Sequence, residues 1–185
     1  WVLERALEGG VRAVQLREKD LGGRDLFVLA QRIKALCERN RASLFVNDRI
    51  DVALGVDADG VQLGSASMPV EAARELLGER KLIGVSTHST NEAKAAEQAG
   101  ADFILFGPVY FTPSKALYGR AQGVAPLKEV VEKNSLPVYA IGGIKPENIA
   151  EVKAAGVRGV ALISAVLSAA DPRGAVQEIR QALEK

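Results

Sequence analysis

Leu136–Ile144, LPVYAIGGI, and the shorter Gly159–Ser164, GVALIS, decide the fold of this chain. Both read as short apolar strands that empty into small residues, with a helical stretch, Pro146–Ala155, between them. A strand covered by helices on both sides is buried on both faces and loses the polar alternation of a half-exposed strand. Glycine just past a strand lets backbone N–H groups approach an anion with no Cβ in the way. Two small-residue turns in succession, Gly142–Gly143 and Ser164–Ala165, close a repeated strand–helix chain. That is where an eight-stranded parallel barrel carries its phosphate site. The plainer reading, in which Gly142 and Gly143 only make a tight connection, stays open at this point.

Working outward, strand and helix signals alternate along the whole chain. Strands are expected at Ala13–Arg17, Ser43–Val46, Gly60–Leu63, Leu82–Ser86, Phe103–Gly107, Pro137–Ile141 and Gly159–Ile163. Helices are expected at Asp25–Asn40, Arg49–Leu54, Pro69–Leu77, Thr90–Ala99, Pro126–Lys133, Pro146–Ala155 and Pro172–Glu184. Asp25 and Thr90 suit N-caps, and Pro69, Pro126 and Pro146 suit first helical positions. Such units call for parallel strands joined by helical crossovers. No linker or low-complexity tract divides them, so residues 1–185 read as one domain.

The expected architecture is α/β, a (β/α)8 TIM barrel, yet only seven strands are visible. The chain opens on Trp1–Gly9, which already reads as a helix, with Leu3 and Leu7 on one face and Gly9–Gly10 as a stop. A strand is expected ahead of that helix, because two neighbours would otherwise keep unpaired edges. The expectation is therefore that the sequence begins inside a longer protein. An open seven-stranded sheet is the alternative.

Composition excludes several functions. Lys plus Arg number 24 against 23 Asp plus Glu, a formal charge of +1, which offers no broad basic field for nucleic acid. No apolar run reaches membrane-span length and the start resembles no secretory signal, so a cytoplasmic location is expected. The single cysteine, Cys37, falls in a helix and reads as buried filler.

The strand ends carry the chemistry. In VQLREKD, Gln15, Arg17 and Lys19 alternate, which puts them on one strand face if the extended run continues through Lys19. Arg17 offers a two-pronged fork to a phosphate or carboxylate and Lys19 a mobile point charge, with Glu18 or Asp20 as the purely structural partners. Asn47 and Asp48 follow SLFV directly. Asp48 suits a hydrated magnesium ion completed by substrate phosphates, and Asn47 a ligand hydrogen bond, although Asn-Asp equally suits an ordinary turn. Ser86 reads as a hydrogen-bonding group, since no acid–base pair nearby would make it a nucleophile. His88, the only histidine, is the candidate proton carrier or else a helix cap. Gly107–Gly123 is the lid candidate: Thr112, Ser114, Lys115 and Arg120 place hydroxyls and charge over the same mouth.

VQLREKD, FVNDRIDVALGVDADGVQLG, IGVSTHS, FGPVYFTPSK and AIGGIKPENI, taken in order, resemble the thiamine phosphate synthase and TenI-like family over nearly the whole chain. That resemblance implies a (β/α)8 barrel. In its synthase branch, hydroxymethylpyrimidine diphosphate is joined to thiazole phosphate with release of diphosphate and with Mg2+ as cofactor. It also implies a possible homodimer. By the same resemblance Gln15, Arg17, Lys19, Asn47, Ser86, Thr112 and Lys115 surround the pyrimidine diphosphate and Asp48 takes the metal. Gly143, Ile163 and Ser164 contact the thiazole phosphate through the two late turns, and Gly142 and Ser114 are further substrate-binding candidates. Two positions depart from the pattern. A synthase usually has a second magnesium-linked aspartate where this chain has Ser67. The thiazole tautomerases of the TenI-like branch are expected to carry a catalytic histidine where this chain has Pro108. VQLGSAS and GRAQG lean to the TenI-like branch, whereas QLREK, ND and TPSK favour the synthase. The alternatives are a tautomerase using His88 and a non-catalytic ligand sensor.

Overall fold

The computed structural model describes residues 1–112 and 121–184. Seven strands form one sheet: β1 (Ala13–Leu16), β2 (Ser43–Asn47), β3 (Gly60–Leu63), β4 (Leu82–Thr87), β5 (Phe103–Phe106), β6 (Val138–Ile141) and β7 (Gly159–Ala161). Every adjacent pair is parallel and the spatial order is the chain order, β1 to β7. The connections run through helices α1 (Val2–Glu8), α2 (Gly23–Arg39), α3 (Ile50–Gly55), α4 (Val70–Leu77), α5 (Thr90–Gln98), α6 (Val124–Lys133) and α7 (Ile149–Ala154). After β7 come a single turn, α8 (Ser164–Leu167), and α9 (Pro172–Glu184).

The sheet is curled but not closed. Its two ends are drawn together by the terminal helices: α1 packs on α9, and Ala6, Val166 and Val176 share an apolar cluster with Val11, just before β1, and Leu162, just after β7. Among the described residues β1 and β7 nevertheless have one strand neighbour each, so the expected eight-stranded ring is not what these residues form.

Strand periodicity sorts the residues into two faces. On the outer face Leu44, Val46, Val61, Leu63, Ile83, Ile104, Phe106, Val138 and Ala140 are buried beneath the helices. That apolar layer falls into two clusters, one under β1–β4 with α2–α4, the other under β5–β6 with α5–α7 and α9; Val70 and Val85 touch both. On the inner face aromatic rings meet edge to face, Phe45 with Phe103 at 5.2 Å and Phe103 with Tyr139 at 5.7 Å. Glycine makes the room: a Cβ on Gly84 would lie 2.2 Å from the Phe103 ring, and one on Gly60 2.1 Å from the Leu82 carbonyl oxygen.

At the N-terminal end one device occurs twice. Asp59, just before β3, accepts from the Leu44 amide at 2.8 Å and from Lys34 of α2 at 3.2 Å. Asp102, just before β5, accepts from the Ile83 amide at 2.7 Å and from Arg74 of α4 at 2.5 Å. Each aspartate thus fastens the preceding strand and helix to the strand it introduces.

Several boundaries differ from expectation. The cap of α2 is Gly22, so Asp25 sits inside the first turn. The cap of α5 is Ser89, whose hydroxyl accepts from the Glu92 amide at 3.2 Å, while the Glu92 carboxylate accepts from the His88 amide at 2.7 Å. Ser89, and not Thr90, is thus the residue whose hydroxyl caps the helix, with Glu92 holding the amide just before it. Pro69 caps α4 instead of opening it, Pro126 is the third residue of α6, and Pro146 precedes α7. Proline is tolerated in all three settings because none needs its missing N–H.

Candidate functional site

The C-terminal ends of β1 and β2 and the turn after β3 bring four polar residues into one chain of hydrogen bonds. Gln15 Nε2 donates to Asn47 Oδ1 at 3.1 Å, and Asn47 Nδ2 donates to Asp48 Oδ2 at 2.7 Å. The other carboxylate oxygen of Asp48 accepts from the Ser67 hydroxyl. Ser67 Oγ in turn accepts from the Gly64 amide at 2.6 Å. Asp48 itself is exposed and holds a left-handed backbone, φ 60°. Aspartate tolerates that region better than most residues, and a strained conformation at a strand end is a feature of functional sites. Beneath this chain Gln62 is 2% exposed and donates to Ser86 Oγ at 3.0 Å.

Arg17 and Lys19 need a correction. β1 ends at Leu16, so the two basic residues lie in the following loop and strand alternation does not align them with Gln15. Glu18 accepts from the Asp20 amide at 3.1 Å, and among the described residues neither Arg17 nor Lys19 makes an ion pair. Both charges therefore lie in the loop that leaves β1, without a protein counter-ion among those residues.

The turn after β6 is built by close backbone approach. Gly142 and Gly143 have φ of 101° and 65°, and a Cβ on Gly143 would sit 2.7 Å from Tyr110 Cβ and 2.9 Å from the Phe111 carbonyl oxygen. The segment after β5 is zipped to that turn: the Val109 amide donates to Ile141 O at 2.9 Å and the Tyr110 amide to Gly142 O at 3.0 Å. Tyr110 Oη donates to Glu151 at 2.9 Å, and burial, then that carboxylate, push the phenol up to about 12. Asn148 closes the turn, donating to Gly143 O at 3.0 Å and accepting from the Lys145 amide at 2.9 Å. On the neighbouring strand end Ile163 is 58% exposed and Ser164, also exposed, opens α8. The glycines are thus required for a tight connection, and the turn they make stands at the mouth beside Ser164.

Thr112 is the last described residue before the gap, and its Oγ1 is buried with no partner among the described residues. Ser114 and Lys115 lie outside the described residues. His88 faces the Gly107 carbonyl through Nδ1, which donates to it and so orients the ring. Cys37 is fully buried; desolvation, then Asp59, push its thiol up to about 11, which makes it packing and not a nucleophile.

No group of three or more His, Cys, Asp or Glu is arranged to hold a metal among the described residues. The Asp48 carboxylate with the Ser67 hydroxyl beside it is nonetheless an all-oxygen, solvent-facing donor set. It fits magnesium, which keeps several waters and leans on substrate phosphates. Gln62, Tyr110 and Asn148 were missed in the sequence. Gln62 alone left a signal, a polar residue inside the otherwise apolar strand GVQL.

Fold and mouth together define a parallel strand–helix protein of the barrel type that gathers polar ligand groups at its C-terminal strand ends. Over residues 1–166 the sequence matches the thiamine monophosphate synthase family. A protein of Geobacter sulfurreducens is 55% identical over 172 residues, 93% of this chain and 81% of its own length. The thiamine-phosphate synthase of Chlorobium phaeobacteroides is 46% identical over 179 residues, 97% of this chain and 87% of its own. The thiamine phosphate pyrophosphorylase structure from Pyrococcus furiosus superposes with a TM-score of 0.91 at 43% identity, covering 99% of this chain and 88% of that one. The chain belongs to the thiamine monophosphate synthase family, on the synthase side of its division from the TenI-like proteins. No helix of the described residues is long and apolar enough to cross a membrane.

Proposed function

We propose that this chain is a thiamine-phosphate synthase: it joins hydroxymethylpyrimidine diphosphate to thiazole phosphate and releases diphosphate. The observation that carries the reading is the Gln15–Asn47–Asp48–Ser67 chain at the mouth, with Arg17 and Lys19, neither in an ion pair among the described residues, in the loop that leaves β1. In the reaction the bond between the pyrimidine methylene and the diphosphate oxygen breaks, and the thiazole nitrogen supplies the electron pair for the new C–N bond. No protein nucleophile is needed. Arg17 and Lys19, with Lys115, offset the negative charge that grows on the departing diphosphate. Gln15, Asn47, Ser86 and Thr112 hold the pyrimidine diphosphate in register, which lowers the entropic part of the barrier. Asp48 is the residue to hold Mg2+, which when bound neutralises diphosphate oxygens. Gly143, Ile163 and Ser164 receive the thiazole phosphate, and Gly142 and Ser114 complete the substrate-binding set. A cytoplasmic setting suits a chain with one buried thiol.

The test is direct. Purified protein given both heterocycles and Mg2+ should yield thiamine phosphate and diphosphate by mass spectrometry, and omitting Mg2+ should greatly reduce the yield. No coupled product at saturating substrate rejects the assignment. Turnover of an isolated thiazole carboxylate phosphate would instead mark a tautomerase.

We also propose the closed (β/α)8 barrel as the finer architecture, with one further strand between β1 and β7. Val11 beside β1 and Leu162 beside β7 pack against one apolar cluster, and that shared packing of the two sheet ends supports it. Extending the chain ahead of Trp1 with a short apolar strand segment should raise the thermal midpoint by at least about 4 °C, some 1–2 kcal/mol for a chain of this size. It should also protect the β1 and β7 amides from hydrogen exchange. Unchanged exchange at both strands would sink the closed ring.

A further inference from the structure

We propose that Ser67 makes divalent-cation binding at Asp48 conditional on a diphosphate, so that metal and diphosphate are taken up as one unit. The inference rests on the synthase reading but concerns the order in which its site is filled. Three features of the turn after β3 carry it. First, Ser67 has little freedom: its amide donates to Gly64 O at 3.1 Å while its hydroxyl accepts from the Gly64 amide at 2.6 Å. The residue at position 67 is therefore aimed at Asp48 by the backbone. Second, both oxygens of Asp48 are engaged by neutral donors, the Ser67 hydroxyl on one and Asn47 Nδ2 on the other. One carboxylate, already solvated by the protein, is all the negative charge this cluster presents. Third, no group of three or more His, Cys, Asp or Glu that could hold a metal occurs among the described residues.

A small divalent cation dehydrates reluctantly, and one carboxylate flanked by a hydroxyl gives it little reason to leave water. A diphosphate held by Arg17 and Lys19 adds the missing anionic oxygens. A carboxylate at position 67 would change this, because the fixed turn would press two like charges together. Such a pair is relieved by a cation, so the site would then load without help.

The experiment is equilibrium dialysis of the whole chain against Mn2+, used as the probe cation, with and without saturating inorganic diphosphate. Wild type, Ser67→Asp and Ser67→Asn are compared, each checked for folding by its circular dichroism melt. Wild type should bind Mn2+ at least tenfold more tightly when diphosphate is present. Ser67→Asp should bind Mn2+ alone at least tenfold more tightly than wild type and lose most of the dependence on diphosphate. Ser67→Asn, neutral and larger, should keep that dependence. Equal loading of wild type with and without diphosphate overturns the proposal, as does an unchanged Ser67→Asp or a gain by Ser67→Asn. The two readings fail separately. Absence of coupled product with the dialysis pattern intact removes the synthase and leaves the co-loading site. Coupled product with a flat dialysis pattern removes the role of Ser67.

Discussion

Asp48→Asn should lower the coupling rate at saturating substrate by about two orders of magnitude, the effect of losing roughly 3 kcal/mol of electrostatic stabilisation. The substitution isolates charge from conformation. Asparagine is among the few residues that accept the left-handed backbone at this position, φ 60°, so the turn after β2 is retained. The hydrogen bonds can also be rebuilt, since the amides of Gln15 and Asn47 can reverse in step. The thermal midpoint should stay within a few degrees of wild type while turnover collapses. A variant with near-normal turnover would take Asp48 out of the chemistry.

Asp102→Ala is expected to give the largest loss of stability, about 3 kcal/mol, the lower end of the range for breaking a buried ion pair. The lower end applies because the Arg74 and Asp102 side chains keep 18% and 33% exposure. Most of the loss comes from what stays behind: the Ile83 amide loses its 2.7 Å acceptor inside the core, and Arg74 loses its carboxylate. For a chain of this length the thermal midpoint should fall by about 6–12 °C in a circular dichroism melt. A fall under about 2 °C would show that the aspartate does not fasten β4 to β5.

The strands were legible because their outer faces are apolar without interruption. Gly60–Leu63 matches residue for residue, and the other six strands are off by one or two positions at an end. Helix starts were less legible. Capping depends on which hydroxyl reaches which amide; at α5 the signal was there and was passed over, since Glu92 follows Ser89, not Thr90, at the three-residue spacing of a capping box. Within the site, Asn47 and Asp48 were visible as polar residues at a strand end, and Ser86 as a hydrogen-bonding group. The alignment of Arg17 and Lys19 with Gln15 failed because the strand stops at Leu16, and no residue there signals the stop. Gln62, Tyr110 and Asn148 were hidden for a different reason. Their partners lie 24, 41 and 5 positions away, and only the folded chain supplies the first two.

The apolar layer beneath the helices comes in two pieces, meeting at Val70 and Val85. The residues assigned to the pyrimidine diphosphate sit mostly over the first piece, and the turns assigned to the thiazole phosphate over the second. On the proposed assignments each substrate would fasten its own half of the molecule, raising that half's resistance to local opening by an amount set by ligand concentration and affinity. The zipper between Val109–Tyr110 and Ile141–Gly142 lies wholly within the second half. An enzyme so divided would register the two substrates as separate events in the rigidity of its scaffold, before any bond is made between them.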